Sequence, residues 1–113
     1  MPVNRLILDF NCSAVNPEHT NFNRWSYLRN LLDLSLGVAF ANRQTSRPVA
    51  LKNPHGDRRQ IHIDYQGPRI NPLMFETAFM MAAENLPKFP EPRIYHQRAP
   101  NANTTLFKID IDF

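Results

Sequence analysis

The sequence predicts an α+β domain of duplicated β-α-β plan, with one mainly antiparallel sheet, two helices packed on one face and an extra C-terminal strand. Three observations carry this. A short pattern of leucine or isoleucine, any residue, leucine or isoleucine, aspartate and an aromatic occurs as LILDF at residues 6–10, IHIDY at 61–65 and IDIDF at 109–113. The first two copies extend without a gap, since residues 6–17 (LILDFNCSAVNP) align with 61–72 (IHIDYQGPRINP) at a constant offset of 55. An apolar helical stretch follows each of these copies, so the order is strand, helix, strand, twice over, and then a final strand.

The elements follow in order. Residues 4–11 alternate as a strand, with Leu6, Leu8 and Phe10 on one face and Ile7, Asp9 and Asn11 on the other. Asn16, Pro17 and Glu18 form a helix-start signature: a capping side chain, a proline at the first helical position and an acid near the positive dipole end. The main helix then begins near Phe22. Phe22, Trp25, Leu28, Leu32, Leu36 and Ala39 recur at three and four, and Leu31, Leu34 and Val38 widen the stripe. Gly37 allows two ends, one at Leu36 with a short strand after it and one near Asn42, and the longer helix is the expected one.

Residues 48–53 (PVALKN) read as a strand, with the proline at its start or on a sheet edge, and residues 54–57 read as a turn. A strand over 59–66 opens the second half. Asn71 and Pro72 repeat the helix start, residues 73–86 are apolar almost all round, and Pro87 ends them. Pro87, Pro90 and Pro92 stiffen a connector to strands at 93–97 (RIYHQ) and 104–113 (TTLFKIDIDF). This plan matches a ferredoxin-like split βαβ, in one domain spanning residues 1–113 with pseudo-repeat halves of about 1–55 and 56–113.

Composition narrows the function classes. A chain of 113 residues with 42% hydrophobic and 20% charged residues is an ordinary folding domain, and its three glycines argue against low complexity. No window approaches the roughly 18 uninterrupted apolar residues of a membrane span, and the start lacks the basic segment and apolar run of a secretory signal. The expectation is a soluble, cytoplasmic protein that does not engage membranes. One cysteine, Cys12, excludes an internal disulfide and a thiolate-rich zinc site. The net charge of +3 is only mildly basic, and its ten arginines are scattered.

Three chemistries have candidate residues. Alternation places the aspartates of the repeated pattern opposite its apolar members, so Asp9, Asp64, Asp110, Asp112 and His62 share a face. Clustered carboxylates suit a hard divalent cation that assists phosphoryl transfer, yet the same pattern describes the solvated side of a sheet, with Lys108 neutralising part of it. Because a pseudo-twofold would carry Asp9 onto Asp64 rather than beside it, the solvated face is the favoured reading. No metal and no cofactor is expected.

Pro2, after a removable Met1, and Tyr95 in the stretch PEPRIY resemble the tautomerase superfamily, in particular its branch similar to macrophage migration inhibitory factor. The resemblance covers topology more than sequence. It implies an isomerase in which the N-terminal proline amine acts as a base, with Tyr95 as the second matched position, in a trimer.

The third and favoured class is a small non-enzymatic binding or assembly module. Residues 106–113 run to the end of the sequence with no polar tail, so an open strand edge carrying Leu106, Phe107, Ile109, Ile111 and Phe113 is expected as an interface with a protein partner or a second copy. The apolar girth of residues 73–86, with Met80 and Met81, exceeds what one sheet face covers. Nucleic acid is the other partner class. Its phosphates would meet Arg58, Arg59, Arg69 and Arg98.

Overall fold

The structure, a computed structural model, describes residues 3–13, 18, 20–39, 49–55, 58–87 and 89–113. Its elements are β1 (Val3–Ser13), α1 (Asn21–Ala39), β2 (Val49–His55), β3 (Arg58–Gln66), α2 (Pro72–Glu84), β4 (Arg93–Gln97) and β5 (Thr104–Asp112). The class is α+β, with one mixed sheet in the order β2-β3-β1-β5-β4 and two helices.

The sheet departs from the expected mainly antiparallel one at its centre. β1 pairs antiparallel with β3 on one side and parallel with β5 on the other, while β2–β3 and β4–β5 are antiparallel. β1 and β2 therefore run the same way with β3 between them. β3 and β4 also run the same way, but two strands, β1 and β5, lie between them. The extra C-terminal strand is thus not added at a rim. The β4–β5 hairpin turns back toward the centre of the sheet, β5 fills the place beside β1, and the two halves of the chain become unequal.

Alternation sorts the strands as the sequence suggests. Leu6, Leu8 and Phe10 of β1, Ile61, Ile63 and Tyr65 of β3, and Phe107, Ile109 and Ile111 of β5 join one core cluster with Phe113 and with residues of both helices. Fully burying each such side chain contributes roughly 1.5–3 kcal/mol before entropy is counted. Tyr65 is buried with its hydroxyl satisfied, because Tyr65 Oη accepts the Ile70 N–H at 2.8 Å.

Thr20 caps α1, its Oγ1 accepting the Asn23 N–H at 3.1 Å. The expected start at Asn16 and Pro17 lies outside the described residues. The helix passes through Gly37 to Ala39, and Asn42 lies outside the described residues. The buried stripe keeps Leu28 and Leu31 of the expected one, with Leu32 and Leu36 partly buried against the core, and differs elsewhere. Tyr27, Leu28, Leu31 and Ser35 face inward, whereas Phe22 is 78% exposed and Leu34 43% exposed. The helix is apolar on too many sides for spacing to select a face, so its placement over the sheet decides. Ser35 fits the interior because its hydroxyl donates back to the Leu31 carbonyl at 2.8 Å.

Asn71 caps α2 as expected, Oδ1 accepting from the N–H groups of Leu73 at 2.9 Å and Met74 at 3.2 Å, with Pro72 in the first turn. Phe75, Ala78, Phe79, Ala82 and Ala83 are its buried stripe. α1 and α2 also pack against each other. No helix of the described residues is long and apolar enough to cross a membrane.

Candidate functional site

The outer face of the sheet carries the aspartates, and cross-strand register decides what each one meets. Asp64 lies opposite Arg5, whose Nε donates to Oδ1 at 2.7 Å and whose Nη2 donates to Oδ2 at 3.2 Å. That hydrogen-bonded guanidinium holds the Asp64 carboxyl below the usual carboxylate range and raises Arg5 in turn. Asp9 stands between Gln60 and Lys108, and Asp110 between Asn11 and Arg93. Asp112 accepts from Arg93 Nη1 at 3.3 Å. His62 Nε2 lies 3.2 Å from Gln60 Oε1.

Each carboxylate thus faces a cation or an amide rather than another carboxylate. Among the described residues no three His, Cys, Asp or Glu side chains converge to hold a metal ion. Asp9, Asp64, Asp110, Asp112 and His62 share the face the sequence assigns them, but they do not form a constellation.

The four arginines proposed for an anionic partner are also divided. The backbones of Arg58 and Arg59 pair with Asn11 and Phe10 at one end of the β1–β3 ladder. Arg69 follows the other end of β3 and is tied to the start of β5, Nη2 donating to the Thr104 carbonyl at 3.0 Å and Nε to Thr105 Oγ1 at 3.3 Å. Arg98 follows β4 at that same end and is exposed. By backbone position the four therefore fall at opposite ends of the sheet. Pro2 lies outside the described residues, and Tyr95 is exposed on β4, opposite Lys108.

The strand expected at an open edge lies inside the sheet, between β1 and β4. β5 has a paired neighbour on each side, and Phe107, Ile109, Ile111 and Phe113 are buried. Leu106 is half-buried on the outer face. Over residues 106–110 the strand has no open edge, because β4, earlier in the sequence, takes the outermost place there.

That exchange places an uncovered surface at the rim of the sheet. β4 is a rim strand, and α2 runs above it with a second stripe of side chains beside the buried one: Leu73, Glu76, Thr77, Met80, Met81 and Glu84 recur at helical spacing. Leu73 is 70% exposed and Met81 58% exposed, well beyond what a monomer's core requires. Between this stripe and Glu91, Pro92, Arg93, Ile94 and Tyr95 lies a groove of about 660 Å³. Its charged lining is Glu76, Glu84 and Glu91 against Arg93 alone, and Arg93 is engaged by Asp112.

A second cavity of about 420 Å³ lies between α1 and the segment after α2, bounded by Asn23, Asn30, Asn85, Leu86 and Phe89. Tyr27 borders it, with its ring 4.7 Å from Phe89 and edge-on to Phe113 at 5.9 Å. The Tyr27 hydroxyl is buried and has no hydrogen-bond partner among the described residues. Burial, with a smaller contribution from Glu91, pushes its pKa up to about 12.

The apolar excess of residues 73–86 is the sequence signal for the groove. Nothing in RIYHQ marks it as the rim strand, and nothing in the helix spacing marks Tyr27 as buried. No protein-family model, characterised relative or solved structure matches this chain.

Proposed function

We propose that this chain is a small non-enzymatic binding module that takes a protein partner into the groove between α2 and β4. One observation carries the reading: an open strand edge lies directly beside uncovered Leu73 and Met81 and half-buried Met80. Such an edge supplies backbone hydrogen bonds for affinity, and an adjoining apolar strip supplies specificity. The divided arginines, the pairing of Asp64 with Arg5 and of Asp112 with Arg93, and the lack of any three converging metal-ligand side chains among the described residues favour this over phosphate binding or metal-assisted chemistry. The fold is read as a split β-α-β plan widened by β5, whose insertion leaves β4 at the rim and places it under the flank of α2.

The test is a selection of random displayed peptides against the full chain and against a Leu73→Glu, Met81→Glu variant. Both residues are exposed, so the variant is expected to fold with a melting temperature close to that of the parent. Peptides enriched on the parent are expected to lose binding to the variant, and to shift backbone amide resonances of α2 and β4. Peptides that bind both proteins equally, or no enrichment at all, would overturn the reading.

A further inference from the structure

We infer that the segment this groove receives is an extended, basic one that adds as a strand to the free edge of β4. The inference rests on the groove being the docking surface, and goes on to name the occupant's conformation and charge.

The conformation follows from what the groove leaves unmet. β4 presents one row of backbone N–H and C=O groups to β5, and among the described residues no strand pairs with its other edge. A helix laid there would keep its own backbone bonds and leave that row to water. A strand would satisfy it. The lengths also agree. The five residues of β4 span about 17 Å at the rise of a strand. The α2 stripe from Leu73 to Glu84 spans about 16 Å at the rise of a helix. One extended segment of about five or six residues therefore runs the length of both, with alternate side chains turned toward Leu73, Met80 and Met81.

The charge follows from the lining. Glu76, Glu84 and Glu91 have no ion-pair partner among the described residues, and the one cation of the groove's described lining, Arg93, is held by Asp112. An acidic segment is repelled. A second copy of this chain, pairing β4 to β4 about a twofold axis, brings six carboxylates into one cleft with only the engaged arginines to offset them, so like-charge repulsion opposes that dimer. Lysines or arginines flanking an apolar centre complement the groove.

The probe is a synthetic nonapeptide with valine, threonine, leucine, threonine and valine at its centre and lysines at both ends, titrated against the full chain by fluorescence anisotropy. Its affinity is expected to fall about tenfold when Glu76→Gln, Glu84→Gln and Glu91→Gln are combined, and to weaken as salt rises. A counterpart with glutamates at its ends is expected not to bind. N-methylation of alternate amides separates the conformations: a strand uses only one phase of its amides toward β4, so one methylated set is expected to abolish binding and the other to leave it.

Equal loss from both sets would overturn strand addition. Glutamate-flanked or uncharged peptides that bind as tightly as the basic one, with binding still lost in the Leu73→Glu, Met81→Glu variant, would overturn the charge inference and leave the docking surface standing. No binding by any of the peptides would overturn the inference as a whole, while the random selection decides the docking surface independently.

Discussion

Arg5 and Asp64 face each other across the β1–β3 ladder as a two-pronged pair, Nε to Oδ1 at 2.7 Å and Nη2 to Oδ2 at 3.2 Å. The Asp64 carboxyl is held below its ordinary range, so the unfolded chain takes up that proton before the folded one does. The stabilisation is complete above the ordinary carboxylate value of about 4 and is lost as pH falls through the lower, folded value. Both side chains are substantially exposed, so solvent screens the pair and its contribution is small. Asp64→Asn is expected to flatten the acid limb of a plot of urea midpoint against pH. An acid limb identical to the parent's would show that the pair contributes nothing.

Tyr27 gives the opposite limb. Its hydroxyl is buried without a partner among the described residues, and an unmet buried polar group costs about 1–3 kcal/mol. Tyr27→Phe is expected to raise stability at neutral pH by about 1 kcal/mol, read from urea unfolding. The folded pKa of about 12 lies above the unfolded value, so the linked stabilisation is full below about pH 10 and disappears as pH rises from there toward 12. The substitution should also remove the high-pH phenol transition of Tyr27 from the ultraviolet absorbance titration.

The central position of β5 sets a third expectation. Phe107 is fully buried, with its ring centroid 4.9 Å from that of Phe75 and 5.4 Å from that of His96. Phe107→Ala is expected to cost about 3–5 kcal/mol, close to the whole stability of a small domain. Removing residues 104–113 is expected to abolish the cooperative melting transition. A truncated chain that melts cooperatively would contradict the strand order.

Two glycines should respond with opposite sign. Gly67 has φ of +127°, a region that side-chain-bearing residues rarely adopt, and its carbonyl accepts from Asn4 Nδ2 at 2.7 Å. Gly67→Ala is expected to destabilise by about 1–3 kcal/mol although space for the methyl is open. Gly37 sits inside α1, exposed, and a methyl group added there would meet no neighbouring atom among the described residues. Gly37→Ala is therefore expected to stabilise by up to about 1 kcal/mol. Paired thermal melts of the two variants check both signs.

Local periodicity explains why so much of the sheet is legible in the sequence. Leu6, Leu8 and Phe10 turn inward because a strand alternates, whatever lies beside it, and the same holds for Ile61, Ile63, Ile109 and Ile111. Neighbours are another matter. An alternating run reads the same at a rim as at the centre, so nothing in residues 106–113 distinguishes an open edge from a strand held on both sides. The aspartates show the same division. Their outward direction follows from spacing, but Arg5 and Arg93 become their partners only through register between separate strands. In α1, apolar residues on many sides let the packing over the sheet choose Tyr27 and leave Phe22 outside. In α2 the surplus is readable as surface to be covered, while the rim strand beside it is not.

The β1–β5 ladder has a consequence in time as well as in space. It joins Arg5 to Thr104 and Ser13 to Asp112, and a backbone bond closes it at each end, Arg5 N–H to the Asn103 carbonyl and Phe113 N–H to the Ser13 carbonyl, both at 2.8 Å. Segments nearly a whole chain apart must find each other before the middle of the sheet exists, and non-local pairing of this kind slows folding toward milliseconds to seconds. Throughout that search the apolar sides of β1 and β5 stay open to other chains, so the kinetic bottleneck of this fold is also its window for aggregation.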